Sequence, residues 1–423
     1  MNRSWNFVRR FSRDRRGNVA VLFAVSLPVL VGFVGLGVES GYWFFENRRL
    51  QAAADLAAYA GAVAARAKEE AATIVSSAQT EAEEHGFDPA AGTIQVNWPP
   101  TSGSNINNRS VEVILQQTYE RYFSAVFADE PVFMAMRAVA TFEEPNSACV
   151  IALNEVQKAA LQISGFAKPS FRACSLMANS IADDAVSIQG SAEVTTSCVS
   201  SSGGVYNTAT LVMEKCPEPR LYMPRADDPF AGVPPPAIPA KCETISGPGG
   251  KKGGGKKDDG GDTIVLGPGN YCGGFSVTGS ATLGSGVYVI SGGTMQFNAN
   301  ASISGSGVTF YLTDGARVIM NGSADIELSA PTSGPYKGML FYADPDSSTS
   351  YGIFNGTADS SLKGALYFPT QNVAIRGDFG GSGGCTRLVA GTIEINGNPT
   401  FDADCTAAGI DDFGVPGGVF LVE

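Results

Sequence analysis

The sequence predicts three parts: an N-terminal transmembrane helix, a small α+β module, and an all-β C-terminal domain folded as a right-handed parallel β-helix. Three observations lead to this fold class. A long uncharged segment lies near the N-terminus, an alanine-rich segment follows it, and glycine- and asparagine-centred turns recur in the second half. A β-sandwich is the alternative for the C-terminal domain, because short strands and glycine turns also describe that fold.

The first predicted element is a transmembrane helix over residues 17–38, which contain no charged side chain. At about 1.5 Å per residue, a helix of this length spans roughly 33 Å, which is enough for a hydrocarbon core of about 30 Å. A cleaved signal peptide is the competing interpretation, but its apolar region is usually shorter and ends in small residues. Pro28 falls inside the span, where we expect it to kink the helix.

The charges before the span predict its orientation. Residues 1–16 contain six arginines and one acidic residue, and the positive-inside rule places such a tail in the cytoplasm. All eight cysteines follow residue 148, which is typical of disulfides formed in an oxidising compartment. We therefore expect a single-pass protein with a cytoplasmic N-terminus and an extracytoplasmic remainder.

The alanine-rich segment opens a predicted α+β module over residues 39–145. Apolar residues at helical spacing predict one long helix from residue 41 to about 85, where His85-Gly86 gives a helix-end signal. Alternating or continuous apolar patterns then predict the remaining elements. These are strands over 93–98 and 110–116, a helix over 119–127 and a strand over 132–142.

Residues 149–423 carry the repeat that predicts the β-helix. Turn centres recur about every 21 residues, with one longer interval, and near-continuous apolar strands separate them. Such strands suit a parallel stack around an internal core. A segment rich in proline, glycine and lysine interrupts the pattern over 206–263, and we interpret it as an insertion. The later turn centres are Gly279, Asn300, Gly322, Gly356, Gly377 and Gly397.

The cysteine spacing predicts two disulfides. Cys385 and Cys405 are 20 residues apart, and Cys174 and Cys198 are 24 apart, so each interval is close to one turn of the predicted β-helix. Residues stacked on adjacent turns have Cα atoms about 5 Å apart, within reach of a disulfide. We therefore expect the pairs Cys385–Cys405 and Cys174–Cys198. Four partners stay open: Cys149, Cys216, Cys242 and Cys272.

The composition argues against an enzyme. His85 is the single histidine, which leaves no basis for a histidine-rich metal site, and the Asp346–Ser350 run is interpreted as a polar turn. The net charge of −12 argues against a nucleic-acid partner. The sequence thus predicts no catalytic residue, no metal and no cofactor. A carbohydrate-active enzyme is kept as a third interpretation because carboxylates are available at Asp314, Asp325, Asp402 and Asp404.

The N-terminal residues resemble a known family. The stretches Asp-Arg-Arg-Gly-Asn-Val-Ala over 14–20 and Leu-Gln-Ala-Ala-Ala-Asp-Leu-Ala-Ala over 50–58 flank the span. Together with the span they are similar to the N-terminal domain of TadG-like Flp pilus-assembly proteins, over about 50 residues. Glu39 stands where that family often has aspartate. The residues that match the anchor motif are Arg15, Arg16, Gly17, Pro28, Glu39 and Asp55.

This resemblance implies a function and a location. A TadG-like protein is expected in the bacterial inner membrane as part of the tight-adherence (Tad) machinery that assembles Flp pili. The expected partners are the lipid bilayer, other Tad/Flp pilus-assembly proteins and envelope polysaccharide, with the β-helix as a scaffold for envelope or pilus contacts. A cell-envelope adhesin or polysaccharide-binding protein that uses the same anchor is the alternative.

Overall fold

The chain forms two compact units. The computed structural model describes residues 18–143, 146–245, 263–347, 351–357, 360–377, 385–402, 405, 409–410 and 414–423. Unit 1 comprises Met1–Glu143 together with Val419–Glu423, and unit 2 comprises Glu144–Gly418. Unit 2 is therefore inserted, in sequence, between two parts of unit 1.

The helices lie in unit 1, and most of the strands lie in unit 2. The helices are α1 (Asn18–Arg66) and α2 (Ala71–Glu84). The strands are β1 (Gly92–Asn97), β2 (Ser110–Tyr119), β3 (Val132–Phe142), β4 (Asn146–Ala152), β5 (Leu161–Ile163), β6 (Ser170–Arg172), β7 (Ser175–Ala178), β8 (Val186–Ile188), β9 (Glu193–Thr196), β10 (Val199–Ser201), β11 (Val205–Asn207), β12 (Thr210–Met213), β13 (Ile264–Leu266), β14 (Gly269–Val277), β15 (Ser280–Leu283), β16 (Gly286–Phe297), β17 (Ser302–Ser306), β18 (Val308–Thr313), β19 (Arg317–Met320), β20 (Asp325–Ser329), β21 (Met339–Ala343), β22 (Tyr351–Gly356), β23 (Ser361–Gly377), β24 (Thr386–Gly397), β25 (Thr400–Asp402), β26 (Gly414–Val415) and β27 (Val419–Leu421).

The alanine-rich part of α1 packs on α2 and on a four-stranded antiparallel sheet in the order β1-β2-β3-β27. Alanine explains the close packing, because Ala54, Ala58 and Ala78 are fully buried and leave little side-chain volume between the helices. The prediction of one helix from 41 to 85 was wrong. The chain turns after α1 at Lys68, which adopts a φ of 61°, in a charged stretch that has no apolar face to bury.

Two further predictions about unit 1 differ from the structure. The expected helix over 119–127 is absent, because β2 continues to Tyr119 and only a single 3-10 turn, Ser124–Val126, follows it. The assignment of residues 149–423 to one domain was wrong at its end. Strand β27 pairs antiparallel with β3, and Val419 lies opposite Phe142.

Strand pairing in unit 2 is parallel between all described strands, except for the antiparallel pair β26–β4. The predicted turn centres lie in register, since Gly356 pairs with Gly377 and Gly377 with Gly397. Aromatic rings continue the register inside the core, where the Phe310 and Phe341 rings stack with centroids 4.9 Å apart. This parallel pairing differs from the antiparallel pairing of the alternative β-sandwich.

Two long strands close the pairing into a ring. Strand β16 pairs with both β18 and β19, and β23 pairs with both β21 and β22. Strands β18 and β21 pair with each other, as do β19 and β22. Six parallel strands therefore form a closed, barrel-like arrangement. Gly292 and Gly293, both with φ near 70°, lie inside β16 between its two pairing segments, where the left-handed backbone favours glycine.

The order of the strands in space differs from their order in the sequence. Strand β24 pairs with β4 and β5, so the last long strand of unit 2 lies beside its first strands. The stack consequently ends at β10–β12 on one side and at β13–β14 on the other. The chain must return along the stack between these ends.

Residues 216–243, here named the return strap, make this connection. Along the strap, Ala226 bonds to Asn179, Asp228 to Tyr367, Val233 to Tyr342 and Pro239 to Asn270. These partners follow the spatial order of the strands from one end of the stack to the other. The predicted insertion over 206–263 therefore began too early, because β11 and β12 continue the parallel pairing, and residues 246–262 lie outside the described part of the chain.

Candidate membrane-proximal site

Helix α1 has two halves with opposite surroundings. Large apolar side chains from Val19 to Val38 are exposed, whereas Leu50 and the alanines after it are buried in unit 1. By length and composition α1 can cross a membrane. Pro28 lies within the helix, which is continuous on both sides of it. The matched residues Arg15, Arg16 and Gly17 lie outside the described residues.

Glu39 joins the end of the exposed half to the loop between β2 and β3. Its carboxylate is only 2% exposed and accepts hydrogen bonds from the backbone N–H groups of Tyr122 and Ser124, each at 2.7 Å. The Ser124 hydroxyl adds a third bond at 3.1 Å. The carboxylate thus caps the 3-10 turn in the way that an acidic N-cap residue satisfies free N–H groups.

Aromatic side chains surround this carboxylate. The Phe123 ring lies so close to Gly35 that a Cβ at position 35 would overlap it. The Tyr42 and Tyr122 rings meet edge to face, with centroids 6.0 Å apart. Glycine at position 35 therefore allows the loop to lie directly against the helix. The sequence placed Glu39 in the anchor motif, but nothing in the sequence indicated that Phe123 is its neighbour.

Asp55, the last matched residue of the anchor motif, has a positioning role inside unit 1. Its carboxylate accepts a hydrogen bond from the Gln51 side chain at 2.7 Å, one helical turn earlier. The same Gln51 amide donates to the Arg137 carbonyl on β3. Asp55 therefore orients a contact between α1 and the sheet, and it lies apart from the Glu39 contacts.

A second buried carboxylate, Glu112 on β2, connects three segments of unit 1. It accepts hydrogen bonds from both the backbone and the hydroxyl of Thr101 and from Asn97, and it pairs with Arg137 at 2.6 Å. Arg137 also pairs with Glu423. Burial would raise the pKa of Glu112, but these hydrogen bonds outweigh it and lower the pKa to about 2. No sequence signal marked Glu112 or Glu423.

Four disulfides lie in unit 2: Cys149–Cys174, Cys198–Cys216, Cys242–Cys272 and Cys385–Cys405. The structure thus contains the expected Cys385–Cys405 bond, but the expected Cys174–Cys198 pair was wrong. Strands β7 and β10 are offset by 23 residues, since Leu176 lies opposite Val199. The residue opposite position 174 is consequently Ser197, and Cys198 points to the other face. Cys198 and Cys242 attach the two ends of the return strap.

A cavity of about 580 Å³ lies between the return strap and the stack. The Tyr367 hydroxyl donates to Asp228 at 2.7 Å on its wall, and Arg225 pairs with Glu155 at 2.9 Å. Burial and the bond to Asp228 raise the pKa of Tyr367, so this hydroxyl stays protonated and holds the strap. The charged groups of the cavity are thus engaged with each other.

The carboxylates kept for a carbohydrate-active enzyme do not form a described cluster. Asp325 lies in β20 and Asp402 in β25, which pair with different strands; Asp404 lies outside the described residues. Asp346 donates its backbone N–H to the Asp344 side chain in a turn, and residues 348–350 of its run are also outside the description. Across the described ranges, no group of three or more histidine, cysteine or acidic residues is placed to hold a metal ion.

Comparison with known proteins adds one match. A search of curated proteins found no match, and neither did a search of solved structures. Residues 17–65 match the family model described as putative Flp pilus-assembly TadE/G-like. The matched range coincides almost completely with α1, including both its exposed apolar half and the buried alanine-rich half. The match associates the N-terminal helix of this chain with Tad pilus assembly.

Proposed function

We propose that the protein is a single-pass component of the Tad/Flp pilus-assembly machinery in a bacterial inner membrane. The observation that carries this proposal is the family match over 17–65, which falls on a helix whose first half is apolar and exposed. Such a surface is unfavourable in water and favourable in lipid. The bilayer and other pilus-assembly proteins are the proposed partners.

The proposed orientation has a cytoplasmic N-terminus and an extracytoplasmic unit 2. Six arginines precede the span, and positively charged flanks are retained in the cytoplasm. Unit 2 contains four disulfides, which persist in oxidising compartments outside the cytoplasm. Charge and disulfides support the same orientation independently.

Unit 2 is proposed to be a right-handed parallel β-helix that acts as a scaffold for envelope or pilus contacts. The support is the parallel register, in which residues about 20 to 25 positions apart lie opposite each other, as for Ile375 and Ile395 or Ile163 and Ile188. Right-handed connections are the general rule between parallel strands. A stack of this kind is rigid, because each turn is held by its neighbours, and it offers an extended surface to a partner.

We propose a structural role rather than a catalytic one. His85, the single histidine, lies at the exposed end of α2 and contacts Glu81 at 3.0 Å. This contact accounts for His85 as a helix-terminal residue. The proposed contribution to pilus assembly is therefore to hold unit 2 at the membrane surface.

The anchor is tested with the double variant Val29→Asp, Val31→Asp, and Val29→Leu, Val31→Leu is the matched control. Each aspartate inside a span costs about 2.5–3.5 kcal/mol of insertion free energy. We expect the aspartate variant to leave the membrane fraction and to fail to restore pili in cells that lack the protein, whereas the leucine variant restores both. Normal membrane retention of the aspartate variant contradicts the anchor, and normal piliation without the protein contradicts the role in assembly.

A further inference from the structure

The loop between β2 and β3 carries an unusual concentration of exposed apolar side chains. Tyr122 is 62% exposed, Phe123 47%, Val126 84% and Phe127 79%. Single apolar residues are normal on a protein surface, but a contiguous group of this size marks an interaction site. We name residues 120–130 the aromatic loop.

The aromatic loop lies beside the apolar half of α1. Phe123 packs on Gly35, which is three residues, or about 4.5 Å, before the end of the predicted span. Whatever surrounds the helix at Gly35 therefore also surrounds this part of the loop. On the next turns of α1, Phe44 and Phe45 are exposed as well, so the apolar surface continues past the predicted end of the span.

The loop satisfies the requirements for entry into a membrane interface. The N–H groups of Tyr122 and Ser124 are bonded to Glu39, which removes the cost of placing free backbone groups near lipid. The Arg121 guanidinium lies over the Trp43 ring at 5.4 Å and donates to the Glu130 carbonyl at 2.6 Å. Aromatic rings next to a basic group are characteristic of the level of the lipid headgroups.

We propose that the aromatic loop inserts into the outer leaflet of the bilayer, next to the point where α1 leaves it. The continuity of the loop with the apolar half of α1 favours lipid over a protein partner as the occupant. The loop gives the membrane-anchored protein a second attachment point, which restricts rotation of unit 1 about the helix. This inference rests on the proposed membrane anchor, and Glu39 serves in it as a positioning residue.

The test uses the full-length protein in vesicles of phosphatidylethanolamine and phosphatidylglycerol. A nitroxide is attached to one of three variants, Val126→Cys, Val29→Cys or Ile106→Cys, and its immersion depth is measured from its accessibility to oxygen and to a water-soluble nickel chelate. Ile106 is the matched control, because it is an exposed apolar residue near the opposite end of β2, about 30 Å from the loop at 3.3 Å per residue.

We expect the label at position 126 to lie about 5–10 Å below the headgroups, as for interfacial elements, the label at 29 to lie deeper, and the label at 106 to be in water. Equal aqueous accessibility at 126 and 106, with 29 in lipid, overturns the inference and leaves the anchor intact. Aqueous accessibility at 29 overturns the anchor itself. Protection of position 126 from both reagents shows that protein, such as a second copy, covers the loop, and it also overturns the inference. Glu39→Gln, with loss of immersion at 126 but not at 29, separates positioning of the loop from anchoring.

Discussion

Buried carboxylates organise unit 1 at the scale of single residues. Glu39 and Glu112 are both almost fully buried, and each satisfies backbone and side-chain donors from a loop that has no regular structure of its own. A buried charge is stable only when such donors surround it. The sequence indicated Glu39 through the anchor motif, but Glu112 lies in an apolar strand and gave no signal, because its donors come from distant segments.

The depressed pKa of Glu112 predicts acid sensitivity of unit 1. Because its folded pKa is about 2 and its ordinary value is 4.5, the stabilisation is fully present above about pH 4.5 and is lost as the pH falls toward 2. The pKa of Glu423 is lowered to about 2 as well, chiefly by the hydrogen bond from Arg137, so both carboxylates act in the same direction. We expect amide exchange in β2 and β3 of the full-length protein in detergent to accelerate over this pH range.

The variant Glu112→Gln tests the origin of that sensitivity. Loss of the charged hydrogen bonds is expected to destabilise unit 1 by about 2 kcal/mol at pH 7 and to flatten its acid response. Glu120→Gln is the control, because Glu120 is an exposed carboxylate next to the same strand. An unchanged acid profile in Glu112→Gln, or an equal loss in the control, contradicts this assignment.

At the scale of elements, local spacing predicted more than the connections did. Turn spacing placed Gly356, Gly377 and Gly397 one turn apart, and the structure pairs them directly. The same reasoning failed for Cys174 and Cys198, because an error of one residue in register moves a side chain to the opposite face. The return strap could not be predicted, since its contacts depend on where the two ends of the stack lie.

The return strap is expected to depend on its terminal disulfides. The Cys242–Cys272 bond has a sequence separation of 30 residues, for which loop entropy gives a stabilisation of about 3–4 kcal/mol. We expect Cys242→Ser, Cys272→Ser to accelerate exchange at the Glu243 amide, which bonds to the Asn270 carbonyl. The control is Cys385→Ser, Cys405→Ser, which removes a disulfide outside the strap. If both variants loosen the strap equally, the strap is not held by its own disulfide.

At the scale of the whole molecule, the main unpredicted feature is the joining of distant chain segments. Strand β27 completes the sheet of unit 1 after the whole of unit 2, and β24 completes the stack between β23 and β4. Sequence periodicity identifies repeats that are neighbours in the chain, but it does not show which open edges of a stack meet. Those contacts are settled by burial of the remaining apolar edges, which is a property of the assembled fold.

This arrangement predicts that the two chain segments of unit 2 are stabilised as one unit through β24. Ile393 is buried and lies opposite Leu161 on one side and Val373 on the other. Replacing it with alanine is expected to cost about 3 kcal/mol. Because each strand of a stack is held by its nearest neighbours, amide exchange in the full-length variant should accelerate in both β5 and β23. Val265→Ala, at an exposed position on β13, should leave exchange in both strands unchanged. Acceleration confined to β24 shows instead that the segments before and after the return strap are stable independently, and that β24 only lies between them.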